Sequence, residues 1–266
     1  VAIFTVSVRH IPATADECIT MLQAKGMVES ADSPTMQAKQ QPRGVFGRFP
    51  LLFMAEPYLF PLESYLTAPF VKWLPRTALG ARIIPAFMGL ACVVLALLIL
   101  RRIGAWRDVW PGAILVLFPS SYLLIMQVAH GLPGYPSFML LVLFTFWFMT
   151  GTANATGWAL IVRCALAGLA GGLACSVNLM AMPVLGMALV WVGCAVSGRR
   201  VALAMVGFLA GAVIGWGPYI LAKLLYPGAF AAVSTTVPMS KFWATLWDPG
   251  ITFTLPTVLG FRAAHF

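Results

Sequence analysis

Charged side chains are scarce in this sequence. They make up 9% of its 266 residues, whereas soluble globular domains have about 25%. Apolar residues make up 61% and form several runs close to the roughly 20 residues that cross a bilayer. A soluble core in a chain of this size would not bury so much apolar surface. The composition therefore predicts an all-α fold, a polytopic bundle of transmembrane helices.

Several motifs that would indicate other functions are also missing. The sequence has no P-loop and no GxGxxG motif, so it gives no support to a nucleotide site. Its five cysteines show neither CxxC nor metal-ligand spacing, so neither a zinc site nor a disulfide framework is supported. The net charge is +9, but no basic stripe with interleaved aromatic residues indicates a nucleic-acid partner. Basic residues at membrane edges, in contact with anionic lipid, explain the charge better.

Acidic residues are absent from every predicted span. Six spans are predicted, at about 79–100, 110–128, 136–151, 158–176, 180–196 and 201–222. Transporters commonly place ionisable residues near the membrane midplane. The absence therefore disfavours a multi-pass transporter or lipid flippase, which stays as the alternative function beside an enzyme. A non-catalytic membrane scaffold is a third interpretation.

The remaining segments divide the chain into four parts. Residues 1–8 are apolar, and we expect them to end a first transmembrane helix of a longer protein. Residues 9–78 form a long non-spanning segment that holds six of the eight acidic residues. Within it we expect a short helix at 16–27, a loop at 30–48 and interfacial helices at 51–74. The six spans occupy 79–222, and 223–266 is a loop followed by the start of a further span.

Orientation follows from the short loops between spans. Arg101, Arg102 and Arg107 lie in one loop, and Arg199 and Arg200 lie in another. The loops predicted on the opposite side, 129–135 and 177–179, have no Lys or Arg. The bias of basic residues toward the cytoplasm therefore predicts that the arginine loops are cytoplasmic and that the acidic segment is external.

Glycines recur within two predicted spans. Gly207, Gly211 and Gly215 are spaced four residues apart, and Gly168, Gly171 and Gly172 cluster in an earlier span. Small residues at such intervals allow close packing of transmembrane helices. We favour this interpretation over a backbone-lined ligand site.

Asp16 and Glu17 are candidate catalytic residues because they follow the first apolar run closely. A carboxylate near the outer membrane surface can act as a general base toward a hydroxyl or amine. Partial desolvation there would raise its pKa. The alternative is that the pair stabilises the N-terminus of the following helix, where negative charge is favourable.

Other candidate residues are polar or aromatic groups near the predicted outer surface. Glu56 and Glu63 are seven residues apart, which would put them on one face of a helix, with Tyr58 nearby. Either they bind a sugar or they belong to a solvated helix face. His130 and Tyr135 lie in the short outer loop opposite this segment. Arg82, at the outer start of a span, either reaches lipid headgroups or binds a phosphate.

Four stretches occur in an order that resembles a known family: ATADECITMLQAKG, FMAEPYLFPLESYLTAP, LGARIIPAFMGL and HGLPGY. This order resembles the GT-C superfamily of membrane glycosyltransferases, in particular the dolichyl-phosphate-mannose protein mannosyltransferase and aminoarabinose-transferase-like group. The resemblance covers most of the chain. It implies an inverting transfer of a sugar from a polyprenyl-phosphate donor to a lipid, glycan or protein acceptor on the periplasmic face of a bacterial inner membrane.

The resemblance also implies roles for individual residues. Asp16 would activate the acceptor and Glu17 would support it. Glu56, Tyr58 and Glu63 would position the sugar or the acceptor, and Arg82 would act at the donor phosphate; His130 and Tyr135 match the family's outer loop in location. No cofactor is required, although some relatives use a divalent metal, for which Asp16, Glu17 and Glu56 could supply oxygen ligands.

Overall fold

The computed structural model describes residues 15–28, 43–46, 49–52, 60–74, 78–104, 134–152, 155–196, 198 and 200–225. Within these ranges the structure is helical apart from one short hairpin. The α-helices are α1 (Ala15–Val28), α2 (Leu62–Thr67), α3 (Ala78–Ile103), α4 (Tyr135–Thr150), α5 (Gly157–Val177), α6 (Met182–Ala195) and α7 (Arg200–Leu225). A short 3-10 helix, Ala68–Phe70, follows α2, and a second one, Leu179–Ala181, precedes α6.

Three of these helices, α3, α5 and α7, are long and apolar enough to cross a membrane. α4 and α6 are apolar too but shorter, with 16 and 14 residues. Five of the six predicted spans therefore correspond to helices. The predicted span at 110–128, and the predicted segments at 1–8 and 226–266, lie outside the described residues. The helix predicted at 16–27 is confirmed as α1.

The outer surfaces of α3 and α7 are apolar. Large exposed side chains recur at helical spacing along both helices: Phe87, Leu90, Val94 and Leu98 on α3, and Leu203, Val206, Leu209 and Val213 on α7. Continuous apolar stripes of this kind are unfavourable in water and are rare on soluble monomers. They match the hydrocarbon of a bilayer, as the composition predicts.

α5 and α7 pack backbone against backbone. A Cβ atom at Gly211 would lie 2.0 Å from the carbonyl oxygen of Ala165, and one at Gly168 would lie 1.9 Å from that of Phe208. The contacts advance together from Ala165 opposite Gly211 to Leu169 opposite Gly215, so the two helices run in the same direction. The predicted close packing through small residues is confirmed.

The bundle has two chemically different ends. We call the end where Glu63 contacts the start of α4 the Glu63 end. We call the opposite end, where Arg102 contacts Trp147 in the last turn of α4, the arginine end. α4 separates them by about 24 Å, since it has 16 residues at about 1.5 Å each. α5 runs back along α4, because Arg163 near its start meets Gly151, just after α4.

The predicted division of residues 30–74 into a loop and interfacial helices is wrong at residues 43–52. β1 (Arg43–Phe46) and β2 (Phe49–Leu52) form an antiparallel hairpin, with Arg43 opposite Leu52 and Phe46 opposite Phe49. We expected a loop up to residue 48 and helices from residue 51. The two residues between the strands, Gly47 and Arg48, carry the signal, because a two-residue connection that starts with glycine favours a hairpin. Polar composition and nearby prolines hid it.

Replacement of Gly211 by alanine tests the contact between α5 and α7. The added methyl group has no room beside the Ala165 carbonyl, so we expect a loss of about 1–3 kcal/mol in unfolding free energy. The midpoint of thermal unfolding in detergent measures it. Gly217→Ala is the matched control, because a Cβ atom at Gly217 in the same helix meets nothing within 4 Å. Equal midpoints for the two variants would contradict the proposed close contact.

Candidate functional site

The Glu63 carboxylate holds the start of α4 in place. Its Oε1 accepts hydrogen bonds from the backbone N–H groups of Gly134 (3.0 Å) and Ser137 (3.2 Å) and from the Ser137 hydroxyl (2.9 Å). The first N–H groups of a helix have no partner within it. Gly134, at the N-cap, has no side chain that could accept from them, so the acceptor comes from a residue 71 positions earlier.

Burial changes the acidity of this carboxyl. The Glu63 side chain is only 3% exposed. Burial raises the pKa of Glu63 from 4.5 to about 7, although the hydrogen bonds from Ser137 and Gly134 lower it in part. Its second oxygen, Oε2, is buried and has no hydrogen-bond partner among the described residues. Near neutral pH the group can therefore either accept or donate a proton at Oε2.

A hydrogen bond joins α1 to α2 beside Glu63. The Ser64 hydroxyl donates to Oε1 of Gln23 over 2.8 Å. Gln23 lies on the buried face of α1 with Thr20, Ala24 and Met27. Its Nε2 is buried without a hydrogen-bond partner in the described structure. Two separate hydrogen-bonded sets, each with one buried polar atom that has no partner among the described residues, are thus attached to the consecutive residues Glu63 and Ser64 of α2.

The predicted catalytic pair lies in the first turn of α1. Position 16 precedes Thr20 by four residues and Gln23 by seven, which is the spacing of one helix face. Positions 16 and 17 also lie in the first helical turn, where acidic residues stabilise a helix N-terminus. Their side chains are outside the described part of the structure, so both interpretations of Asp16 and Glu17 remain predictions.

Arg82 is enclosed by protein. Its side chain is 0% exposed and is engaged with a neighbouring group. The interpretation that Arg82 reaches out to lipid headgroups is therefore wrong, because that would need an exposed guanidinium. Its predicted role at a phosphate is untested.

Tyr135 lies beside the Glu63 contact. It is the first residue of α4 and follows Gly134, whose N–H binds Glu63. Its side chain is 39% exposed at this end of the bundle. Tyr135 thus directly follows a residue that Glu63 binds, and the role of Tyr135 in binding stays a prediction.

Three other predicted site residues, Glu56, Tyr58 and His130, lie outside the described residues. One expectation about Glu56 is nevertheless wrong. α2 begins only at Leu62, after the non-helical Phe60 and Pro61, so Glu56 and Glu63 do not share one continuous helix. Proline at the N-cap explains the break, since it cannot continue a hydrogen-bonded helix from upstream.

Sequence reasoning missed the neutral polar residues of this region. Gln23, Ser64 and Ser137 contact each other or Glu63. Ser176, near the end of α5, donates to the Gly215 carbonyl over 3.0 Å, and its own carbonyl accepts from the Phe60 N–H over 3.0 Å. The spacing of Gln23 from Asp16 was the available signal.

Among the described residues, no three His, Cys, Asp or Glu side chains lie together in a way that could hold a metal ion. The option of a divalent metal depends on Asp16, Glu17 and Glu56, whose side chains lie outside that part of the chain. The expectation that no cofactor is required stays a prediction.

Comparison of the chain with protein-family models, curated protein sequences and solved structures finds no match. The resemblance to membrane glycosyltransferases therefore depends on the order and spacing of the sequence motifs. What the geometry adds is two sets of buried polar side chains at one end of an apolar bundle.

Glu63→Gln tests the state of the buried carboxyl. The wild-type group is harder to ionise when folded, with a pKa of about 7 instead of 4.5. Its stabilising contribution is therefore full below about pH 4.5 and is lost as the pH rises through about 7. We expect the thermal unfolding midpoint of the wild type to decrease as the pH is raised from about 5 to about 8. Glutamine keeps an accepting oxygen but cannot ionise, so its profile should be flatter.

Glu63→Ala is the companion variant. It removes the acceptor for the Gly134 and Ser137 N–H groups, so we expect a lower midpoint at every pH, by about 0.5–2 kcal/mol in unfolding free energy. Parallel pH profiles for the wild type and Glu63→Gln would show that Glu63 is not the titrating group.

Proposed function

We propose that this chain acts as a glycosyltransferase that moves a sugar from a polyprenyl-phosphate donor to an acceptor at the outer face of the bacterial inner membrane. One observation carries the proposal: Gln23 and Glu63, held through consecutive residues of α2, each have a buried, unpartnered polar atom at one end of an apolar bundle. An enzyme that uses a lipid-linked donor needs its polar site at the end of the bundle, near the membrane surface. There the lipid chain stays in the bilayer while the acceptor arrives from water.

The proposed reaction is a displacement at the anomeric carbon. The acceptor hydroxyl or amine loses its proton to Asp16 and forms the new bond to the sugar. The bond between the anomeric carbon and the phosphate oxygen breaks, and polyprenyl phosphate leaves with the bonding electrons. The leaving group is already a phosphate ester, so no nucleotide is needed. Glu17 supports Asp16, and a cationic group stabilises the departing phosphate.

The other proposed site residues bind substrate. Glu56, Tyr58, His130 and Tyr135 line the path of the sugar or acceptor. Arg82 acts at the donor phosphate only after a rearrangement that exposes its guanidinium, because its side chain is fully buried in this structure. Glu63 can contribute only through Oε2, because Oε1 is occupied by the start of α4. A neutral Glu63 could donate a hydrogen bond to a sugar hydroxyl at that oxygen.

The distribution of charge supports this proposal over a transporter. α3, α4, α5, α6 and α7 contain no Asp or Glu. A transporter of ions or charged substrates commonly has such residues within its spans. The arginines at the opposite end support a cytoplasmic arginine end, which turns the Glu63 end outward.

Asp16→Asn tests the proposed base. We expect loss of sugar transfer, because asparagine keeps the shape but cannot accept the proton; the effect should be at least about 100-fold. The measurement is transfer of labelled sugar from a panel of polyprenyl-phosphate sugars in membranes from cells that express the full-length protein. Expression of each variant is checked in the same membranes.

Lys25→Gln is the matched control, since it removes one charge from the exposed side of the same helix. It should leave transfer unchanged. Transfer by Asp16→Asn at the wild-type rate would remove Asp16 from the mechanism. No transfer by the wild type with any donor would favour the transporter or flippase.

A further inference from the structure

Two arginines from different helices converge at the end of α4. Arg163, on α5, donates from Nη1 to the carbonyl of Gly151. Arg102, in the last turn of α3, donates from Nη1 to the carbonyl of Trp147 over 3.3 Å. The Arg102 guanidinium also lies over the Trp147 ring, 4.8 Å from its centre. Each arginine is therefore held in a defined position.

Gly151 shows how close the two guanidinium groups are. A Cβ atom built there would lie 2.6 Å from Nη1 of Arg163 and 2.8 Å from Nη2 of Arg102. The two nitrogens therefore lie close to each other, since both are near the same position beside Gly151. One phosphate group can reach both, since each N–H···O hydrogen bond spans about 2.9 Å.

Most N–H donors of these two arginines have no acceptor among the described residues. A guanidinium has five N–H donors. Among the described residues, each of these two arginines donates only to a backbone carbonyl, and neither has a carboxylate partner. Two neighbouring cations repel each other, and a shared anion removes that repulsion. The acidic residue nearest to Arg102 in the sequence, Asp108, lies outside the described part of the chain.

The surroundings indicate a lipid headgroup. Trp158, in the first turn of α5, is 76% exposed, as is typical of tryptophan at a membrane–water interface. Thr156, the N-cap of α5, makes no side-chain capping hydrogen bond. The first N–H groups of α5, at the same end of the bundle as the two arginines, therefore have no side-chain acceptor from Thr156, and the positive end of a helix favours negative charge nearby.

We infer that Arg102 and Arg163 form a binding site for the phosphate of an anionic membrane lipid at the arginine end. The bound phosphate links α3, the end of α4 and α5. The site is separate from the Glu63 end and does not depend on the proposed glycosyl transfer.

Lipid-dependent stability tests this site. The purified full-length protein in detergent is supplemented with phosphatidylglycerol, with phosphatidylcholine or with inorganic phosphate, and the thermal midpoint is measured. We expect phosphatidylglycerol to raise the wild-type midpoint more than either of the others. Arg102→Gln and Arg163→Gln should each lose at least half of that rise.

Arg200→Gln is the matched control, because Arg200 is an exposed arginine at the start of α7, in the last arginine loop. It removes one positive charge without touching the pair, so it should keep the full rise. An equal loss in Arg200→Gln would reveal a diffuse surface effect and overturn the site. Equal stabilisation of the wild type by phosphatidylcholine, or full stabilisation by inorganic phosphate, would overturn the choice of an anionic lipid.

Native mass spectrometry covers variants that fold poorly. It counts bound phosphatidylglycerol on the folded fraction of each variant, and we expect one tightly bound molecule in the wild type that Arg163→Gln loses. Arg102→Lys keeps the charge but loses the planar group that stacks on Trp147, so it should bind more weakly than the wild type. Retention of the bound lipid in both glutamine variants would contradict the inference.

Discussion

The hydrogen bonds between Glu63 and the start of α4 connect the non-spanning segment, residues 9–78, to the apolar bundle. α4 begins at a glycine N-cap that cannot satisfy its own first N–H groups. An acceptor must therefore come from elsewhere, and burial of the contact makes an unpaired group there unfavourable. Because Glu63 supplies that acceptor, the short helix α2, and with it Ser64 and Gln23, is fixed against the bundle.

The two oxygens of the Glu63 carboxyl group have different surroundings. Oε1 has a structural task, whereas Oε2 stays buried and available. The pKa of about 7 means that the free oxygen can change its hydrogen-bonding character near neutrality. Carboxyl groups with a pKa shifted by burial are often found at functional sites.

The rigidity of the bundle comes from contact between helices. In lipid, apolar side chains gain little by leaving the solvent, so helices associate mainly through close packing. The glycines of α5 and α7 let the two backbones touch. Ser176, on α5, also connects α5 and α7 to the non-spanning segment. Its hydroxyl donates to the Gly215 carbonyl on α7, and its own carbonyl accepts from the Phe60 N–H. The Glu63 end is thus supported from two sides, by α4 and by α5.

The sequence by itself determined the properties that depend on local composition. Apolar runs predicted helices α3 to α7, and the glycine spacing predicted the contact of α5 with α7. The hairpin at 43–52 was missed because its signal is only the pair Gly47 and Arg48, in a stretch that is otherwise polar and contains prolines. Only the tertiary structure decided that Glu63 binds Ser137 and that Arg102 meets the end of α4. Those partners are more than forty residues apart in the chain, and nothing in the local pattern of either segment specifies which distant backbone groups will need a partner.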